Sequence, residues 1–170
     1  MGYKDSTYVI FDGDNDKWAY GYMKGWKQND KVDFDFQDAH DLDNMTSRAQ
    51  GEEYVKARLR ERMRKSSAAL VLIGESTKNL YKFVRWEMEL AQSLGLPIIA
   101  VNLNDRRSQD ADLCPAILRD KLVMHVAFRM KIIKYALDQW PAQFRSLGNY
   151  ETKAVGGYMY NDAIYAKLGL

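Results

Sequence analysis

The chain has 170 residues, 46% of them hydrophobic and 28% charged, with a formal net charge of +2. That length and composition read as one globular domain able to bury a sizeable core, and the near-neutral charge gives no electrostatic footprint for nucleic acid. A single cysteine, Cys114, and two histidines, His40 and His125, exclude an internal disulfide and a multi-cysteine zinc site, and they leave little for histidine-based catalysis. The longest apolar runs, Ala68 to Ile73 and Leu96 to Val101, are far short of a membrane span. The polar stretch Met1 to Thr7 lacks the apolar centre of a signal peptide. The expected compartment is therefore the cytoplasm, with neither a membrane nor a nucleic acid as partner.

In chain order, Tyr8 to Phe11 has strand character and runs into the turn-rich sequence DGDND. Trp18, Tyr22 and Trp26 then recur at every fourth position behind the capping candidates Asn15 and Asp16, which predicts a helix. Val32 to Phe36 alternates with period 2, as a half-buried strand should. Val55, Leu59 and Met63 mark a second helix. Ala68 to Ile73, ended by Gly74, and Pro97 to Val101 are continuously apolar, which suits strands covered on both faces. Between them Phe83, Leu90 and Leu94 mark a third helix; Leu122 to Ala127 is a weaker strand, and Phe128 to Trp140 a fourth helix closed by Pro141.

Strand–helix alternation with short connections predicts helices on both faces of a parallel sheet. The fold class is α/β, a flavodoxin-like three-layer fold with about five parallel strands. Residues 1–141 form that domain. Residues 142–170 form an extension rich in Tyr and Gly, including Tyr150, Tyr158, Tyr160 and Tyr165. Its expected role is to pack across the domain or against a partner subunit.

Ligands of open α/β sheets bind outside the carboxyl ends of the strands, so the loops Asp12–Asp16, Gln37–Asn44, Gly74–Tyr81 and Asn102–Pro115 are where chemistry is expected. DGDND fails as a calcium loop, because Lys17 stands where glycine is required and Met23 where the twelfth-position glutamate belongs. As a haloacid-type phosphatase motif it has Asp16 in place of Thr or Val, and no paired acidic motif follows. As a receiver domain it lacks the phosphoacceptor, since Gly74-Glu75 ends the third strand. An acidic helix cap is the plain alternative. The cluster Asp33, Asp35, Asp38, Asp41 and Asp43 with His40 has no diagnostic metal spacing and reads as a solvated strand face, so no metal is expected. The basic run from Lys56 to Lys65 spreads around its helix and reads as solvated. Glu87 is more informative. At about 100° per residue it falls in the middle of the apolar stripe of Phe83, Leu90 and Leu94, with Arg85 and Glu89 on the other side. A carboxylate aimed at the core needs a partner or a purpose.

The segments YVIFDGDND (Tyr8 to Asp16), RERMRKSSAALVLIGEST (Arg60 to Thr77) and FVRWEMELAQSLGLPIIAVNLN (Phe83 to Asn104), in this order and spacing, resemble the bacterial TIR-like proteins. These include the ThsB-type, signal-producing component of the Thoeris anti-phage system. The resemblance covers roughly residues 7–140. It implies consumption of NAD, with Glu87 of the Trp86-Glu87 pair as the catalytic carboxylate, Phe11, Asp12, Asp14 and Asp38 lining the substrate cleft, and Trp86 as a further substrate-binding residue. The chain departs from the family pattern at Ile10, where a small polar residue is usual, and at Gly13, where an aromatic is common.

The resemblance also implies NAD as substrate with no bound cofactor, a homo-oligomer, a phage-derived trigger, and a downstream effector protein activated by the product. That product is ADP-ribose or a cyclic isomer of it. The competing reading is a TIR-like assembly module without enzymatic activity, in which Glu87 is structural.

Overall fold

A computed structural model describes residues 7–29 and 51–170. The first strand, β1 (Thr7–Ile10), leads through the DGDND turn into helix α1 (Lys17–Gln28). Helix α2 (Glu52–Arg64) precedes β2 (Ala68–Ile73), and a 3-10 turn (Thr77–Asn79) joins β2 to α3 (Phe83–Ser93). Then come β3 (Ile98–Asn102), β4 (Val123–Ala127), α4 (Met130–Leu147), β5 (Tyr158–Met159) and α5 (Asp162–Lys167). The five strands form one sheet in the order β1-β2-β3-β4-β5, and every pair is parallel. The fold is thus α/β and flavodoxin-like.

The continuous apolarity of β2 and β3 has its cause in this layering. Alternate residues of a strand face opposite sides, and both sides are covered. Val9, Leu70, Leu72, Ile99 and Val101 meet α1 and α4 on one face, while Tyr8, Ile10, Val71, Ile98 and Ala100 meet α2 and α3 on the other. Strand β2 is paired on both edges and all six of its residues are buried, so any polar residue there would lose water without gaining a partner.

Three expectations change. First, Pro141 does not close the fourth helix: α4 continues through it to Leu147. A helix-interior proline forgoes one backbone bond and costs about 3 kcal/mol, but Trp140 and Phe144 on either side of it are both buried, and their packing offsets that cost. Second, a boundary at residue 141 falls inside α4, and the residues after it pack across the domain. Beyond α4 the chain adds β5 to the sheet edge, buries Tyr160 and Tyr165 in the core, and sends the Tyr150 hydroxyl to the Leu96 carbonyl. Third, α1 turns its Ala19, Tyr20 and Met23 face to the sheet, leaving Trp18 and Tyr22 of the aromatic stripe exposed. The strand expected at Val32 to Phe36 lies outside the described residues.

Candidate functional site

The DGDND turn is built around Asp12. Its carboxylate accepts the backbone N–H of Asp14 at 2.9 Å and of Asn15 at 3.2 Å, the Asn15 side-chain amide at 2.8 Å and the Ser76 hydroxyl at 2.8 Å. Burial by itself would raise its pKa. The bonds from Asn15, Ser76 and Asp14 outweigh that and hold the carboxyl below the usual range. Asp12 therefore latches its own loop to the one after β2, and Asp14 takes part through its backbone while its side chain is exposed.

Asp16 behaves differently. It is the N-cap residue of α1, yet its side chain makes no capping bond. Burial, the negative charges of Asp12 and Glu75, and only a 3.5 Å contact with the Thr77 hydroxyl leave its carboxyl pKa raised.

Asp16 lines a pocket of about 630 Å³ at the carboxyl ends of β1, β2 and β3, together with Asn15, Trp18, Glu75, Ser76 and Asn104 over an apolar floor. Asn15, Asp16, Glu75, Ser76 and Asn104 come from three of the loops in which ligand chemistry is expected and lie within the segments that carry the family resemblance; the topology brings the three loops to one edge.

Glu87 lies in the second turn of α3, and it is buried (5% exposed) beside Val84, Met88 and Ala91, as its place in the apolar stripe requires. Its neighbours off the stripe, Arg85 and Glu89, form a surface pair at 2.9 Å. The Tyr8 hydroxyl donates a 2.5 Å hydrogen bond to Glu87 Oε2. Tyr8 is the residue that sequence reasoning missed, and strand alternation could have found it, because positions 8 and 10 of β1 face α3.

Phe11 is not brought to Glu87. It stacks on Tyr20 with ring centroids 4.5 Å apart, in the core cluster on the α1 and α4 face, so the sheet lies between them. Trp86 packs toward α2, with the Lys56 ammonium 5.4 Å and the Arg60 guanidinium 5.7 Å from its ring centroid. Both distances are in cation–π range. Asp38 lies outside the described residues. Among the described residues no group of three or more His, Cys, Asp or Glu side chains is placed to hold a metal ion, and no helix is long and apolar enough to cross a membrane.

The parallel α/β sheet, with a polar pocket at its carboxyl edge and a buried carboxylate on the helix after β2, is that of a doubly wound domain. Residues 8–108 match the family model described as the Thoeris protein ThsB, TIR-like domain, and the chain belongs to that family. The match takes in Tyr8, Glu87 and the pocket residues from Asn15 to Asn104. A comparison with curated proteins found no match.

Proposed function

We propose that the protein cleaves NAD at the nicotinamide–ribose bond to make an ADP-ribose-derived signal in anti-phage defence, and that Glu87 is the carboxylate on which turnover depends. The observation that carries the reading is a buried carboxylate on α3, fixed by the Tyr8 hydroxyl, at the Trp-Glu position of a TIR-like family. Breaking the glycosidic bond passes through an oxocarbenium-like ribosyl cation, as in glycoside hydrolysis. The bonding pair leaves with the pyridinium nitrogen, so nicotinamide departs neutral and no general acid is needed. A carboxylate in a water-poor setting stabilises the developing positive charge, and its second oxygen accepts from a ribose hydroxyl. Water then attacks the cation to give ADP-ribose and a proton, or a group of the same molecule attacks to give a cyclic isomer. Self-association and a trigger that completes the site belong to the same proposal, as does an effector that receives the product.

The test is nicotinamide release from NAD by the triggered protein. Glu87→Gln keeps size and most hydrogen-bonding capacity but removes the charge; it abolishes release and leaves the thermal midpoint within a few degrees of wild type. Tyr8→Phe, which removes only the hydroxyl that orients Glu87, lowers kcat more than it changes KM. Glu89→Gln changes neither. A Glu87→Gln protein that turns over normally, or a triggered wild type that never releases nicotinamide, rejects the reading.

A further inference from the structure

The loop between β3 and β4 is cross-braced by its own side chains, and one arginine ties it to the C-terminal helix. Leu103 and Asn104, at the start of the loop, stand in the pocket wall. The buried Asn102 amide donates to the Arg106 carbonyl at 3.0 Å and to the Ser108 carbonyl at 2.8 Å. The Asn104 amide donates to Asp110 at 2.8 Å, and Asp110 in turn accepts the N–H groups of Asp112 and Leu113. Bonds linked in this way are made or lost together, so the loop shifts as a unit and Asn104 goes with it.

The residue that follows the pocket wall is held in a costly conformation. Asp105 has a φ of 68°, in the left-handed region that a residue with a Cβ enters at a cost. Such a backbone persists only where its surroundings over-determine it. Arg129, just ahead of α4, supplies one restraint by donating to both Asp105 oxygens at 3.1 and 3.0 Å. Arg107 supplies the other. Its guanidinium lies 4.1 Å from the centroid of the Tyr165 ring and pairs with Asp162 at 3.2 Å. Both partners belong to α5, outside the residues 8–108 that match the family. Tyr165 is a firm abutment, because it is wholly buried and its hydroxyl accepts the Ala127 N–H at 3.2 Å. The two contacts of Arg107 differ in kind. Asp162 is exposed, so salt screens its pair and the pair contributes little. The ring face is desolvated, which is where a cation–π contact is strongest.

We propose that Arg107 is a positioning residue: clamped on Tyr165, it holds the β3–β4 loop, and with it Asn104, in the pocket wall. When the clamp is released, Asp105 relaxes out of the left-handed region and the wall leaves its place. Among the described residues none of α5 lines the pocket, so the C-terminal helix controls a site to which it contributes no side chain. The clamp is the same whatever the pocket holds, and its test needs no substrate.

The experiment is native-state amide exchange of the full chain, followed by NMR. The reporters are Asp105 and Arg106, whose N–H groups bond within the loop, with Val71 and Ala100 in the sheet as references. Arg107→Ala is expected to speed the reporters at least about threefold, to leave the references unchanged, and to keep the thermal midpoint within a few degrees of wild type. Arg107 is partly exposed, so this variant folds. Asp162→Asn has a smaller effect, which vanishes near 1 M salt. Tyr165→Leu keeps apolar bulk but removes the ring face, and it too speeds the reporters relative to the references. The double variant Arg107→Ala with Tyr165→Leu is no faster at the reporters than Tyr165→Leu alone, because the two residues act through one contact. Unchanged exchange in Arg107→Ala overturns the proposal, and so does acceleration spread evenly over loop and sheet. A double variant whose effect is the product of the two single effects overturns it as well, since Arg107 and Tyr165 would then act separately.

Discussion

His125 is wholly buried in β4, and neither ring nitrogen has a hydrogen-bond partner among the described residues. Burial pushes its pKa down from 6.5 to about 4, so at neutral pH it is an uncharged imidazole packed as an apolar ring. In the unfolded chain it titrates near its ordinary value, so between about 6.5 and 4 the unfolded state binds more protons than the folded one. Stability is thus fully present above the unfolded pKa and falls as pH drops through that window. Thermal midpoints measured from pH 7 to pH 4 should decline, and His125→Leu should flatten the decline without a large loss at pH 7. A decline of equal depth in the variant would place the acid sensitivity elsewhere. Glu87 and His125 show what a sequence reveals of a residue. The stripe periodicity of α3 marked Glu87 as buried, while nothing in the weak strand Leu122 to Ala127 distinguished a buried histidine from a solvated one.

At the scale of elements, the strands and the helices α2 and α3 were legible because their apolar periodicity comes from burial on defined faces. Two elements misled for physical reasons. In α1 the heavy aromatics Trp18 and Tyr22 outweigh Ala19 and Met23 in any reading by size, yet the small residue is what lets the helix approach the sheet. In α4 the local rule for proline gave way to the packing of Trp140 and Phe144. Strand β5 is only two residues long, too short for any periodicity, and glycines set its position. Gly156 and Gly157 both take left-handed φ values, 76° and 65°. A Cβ at 156 would meet nothing within 4 Å, whereas one at 157 would lie 2.7 Å from the His125 ring and 3.1 Å from the Val123 carbonyl. Gly156→Ala should therefore cost only the backbone penalty, about 1–2 kcal/mol. Gly157→Ala should cost that plus an overpacking term of about 1–3 kcal/mol, as measured by denaturant midpoints at constant slope. Equal losses would mean that β5 does not press on β4.

For the whole molecule, the question is whether the tail is part of the folding unit. The chain after residue 141 supplies Phe144, Tyr160 and Tyr165 to the same core as β1, β2 and β3. The Tyr165 hydroxyl accepts the Ala127 N–H at 3.2 Å at the end of β4, and Asp120 accepts the Gly156 N–H at 2.8 Å. Full burial of a large apolar side chain contributes about 1.5–3 kcal/mol, an upper estimate for an extended-chain reference. Losing three such groups removes several kcal/mol, against a net stability of about 5–15 kcal/mol for a typical domain. It also opens the outer edge of β4, whose N–H and C=O groups would then lack the pairing that β5 gives them. A chain ending at residue 141 is thus expected to lose its cooperative thermal transition or to aggregate. A chain ending at residue 157, which keeps α4 intact, should fold with a lowered midpoint and a greater tendency to associate through the bared strand. Circular dichroism melts and size-exclusion profiles of the two truncations decide the matter. If the 1–141 fragment melts cooperatively at the full-length midpoint, residues 142–170 are an appendage after all, and the α/β domain ends where the proline stands.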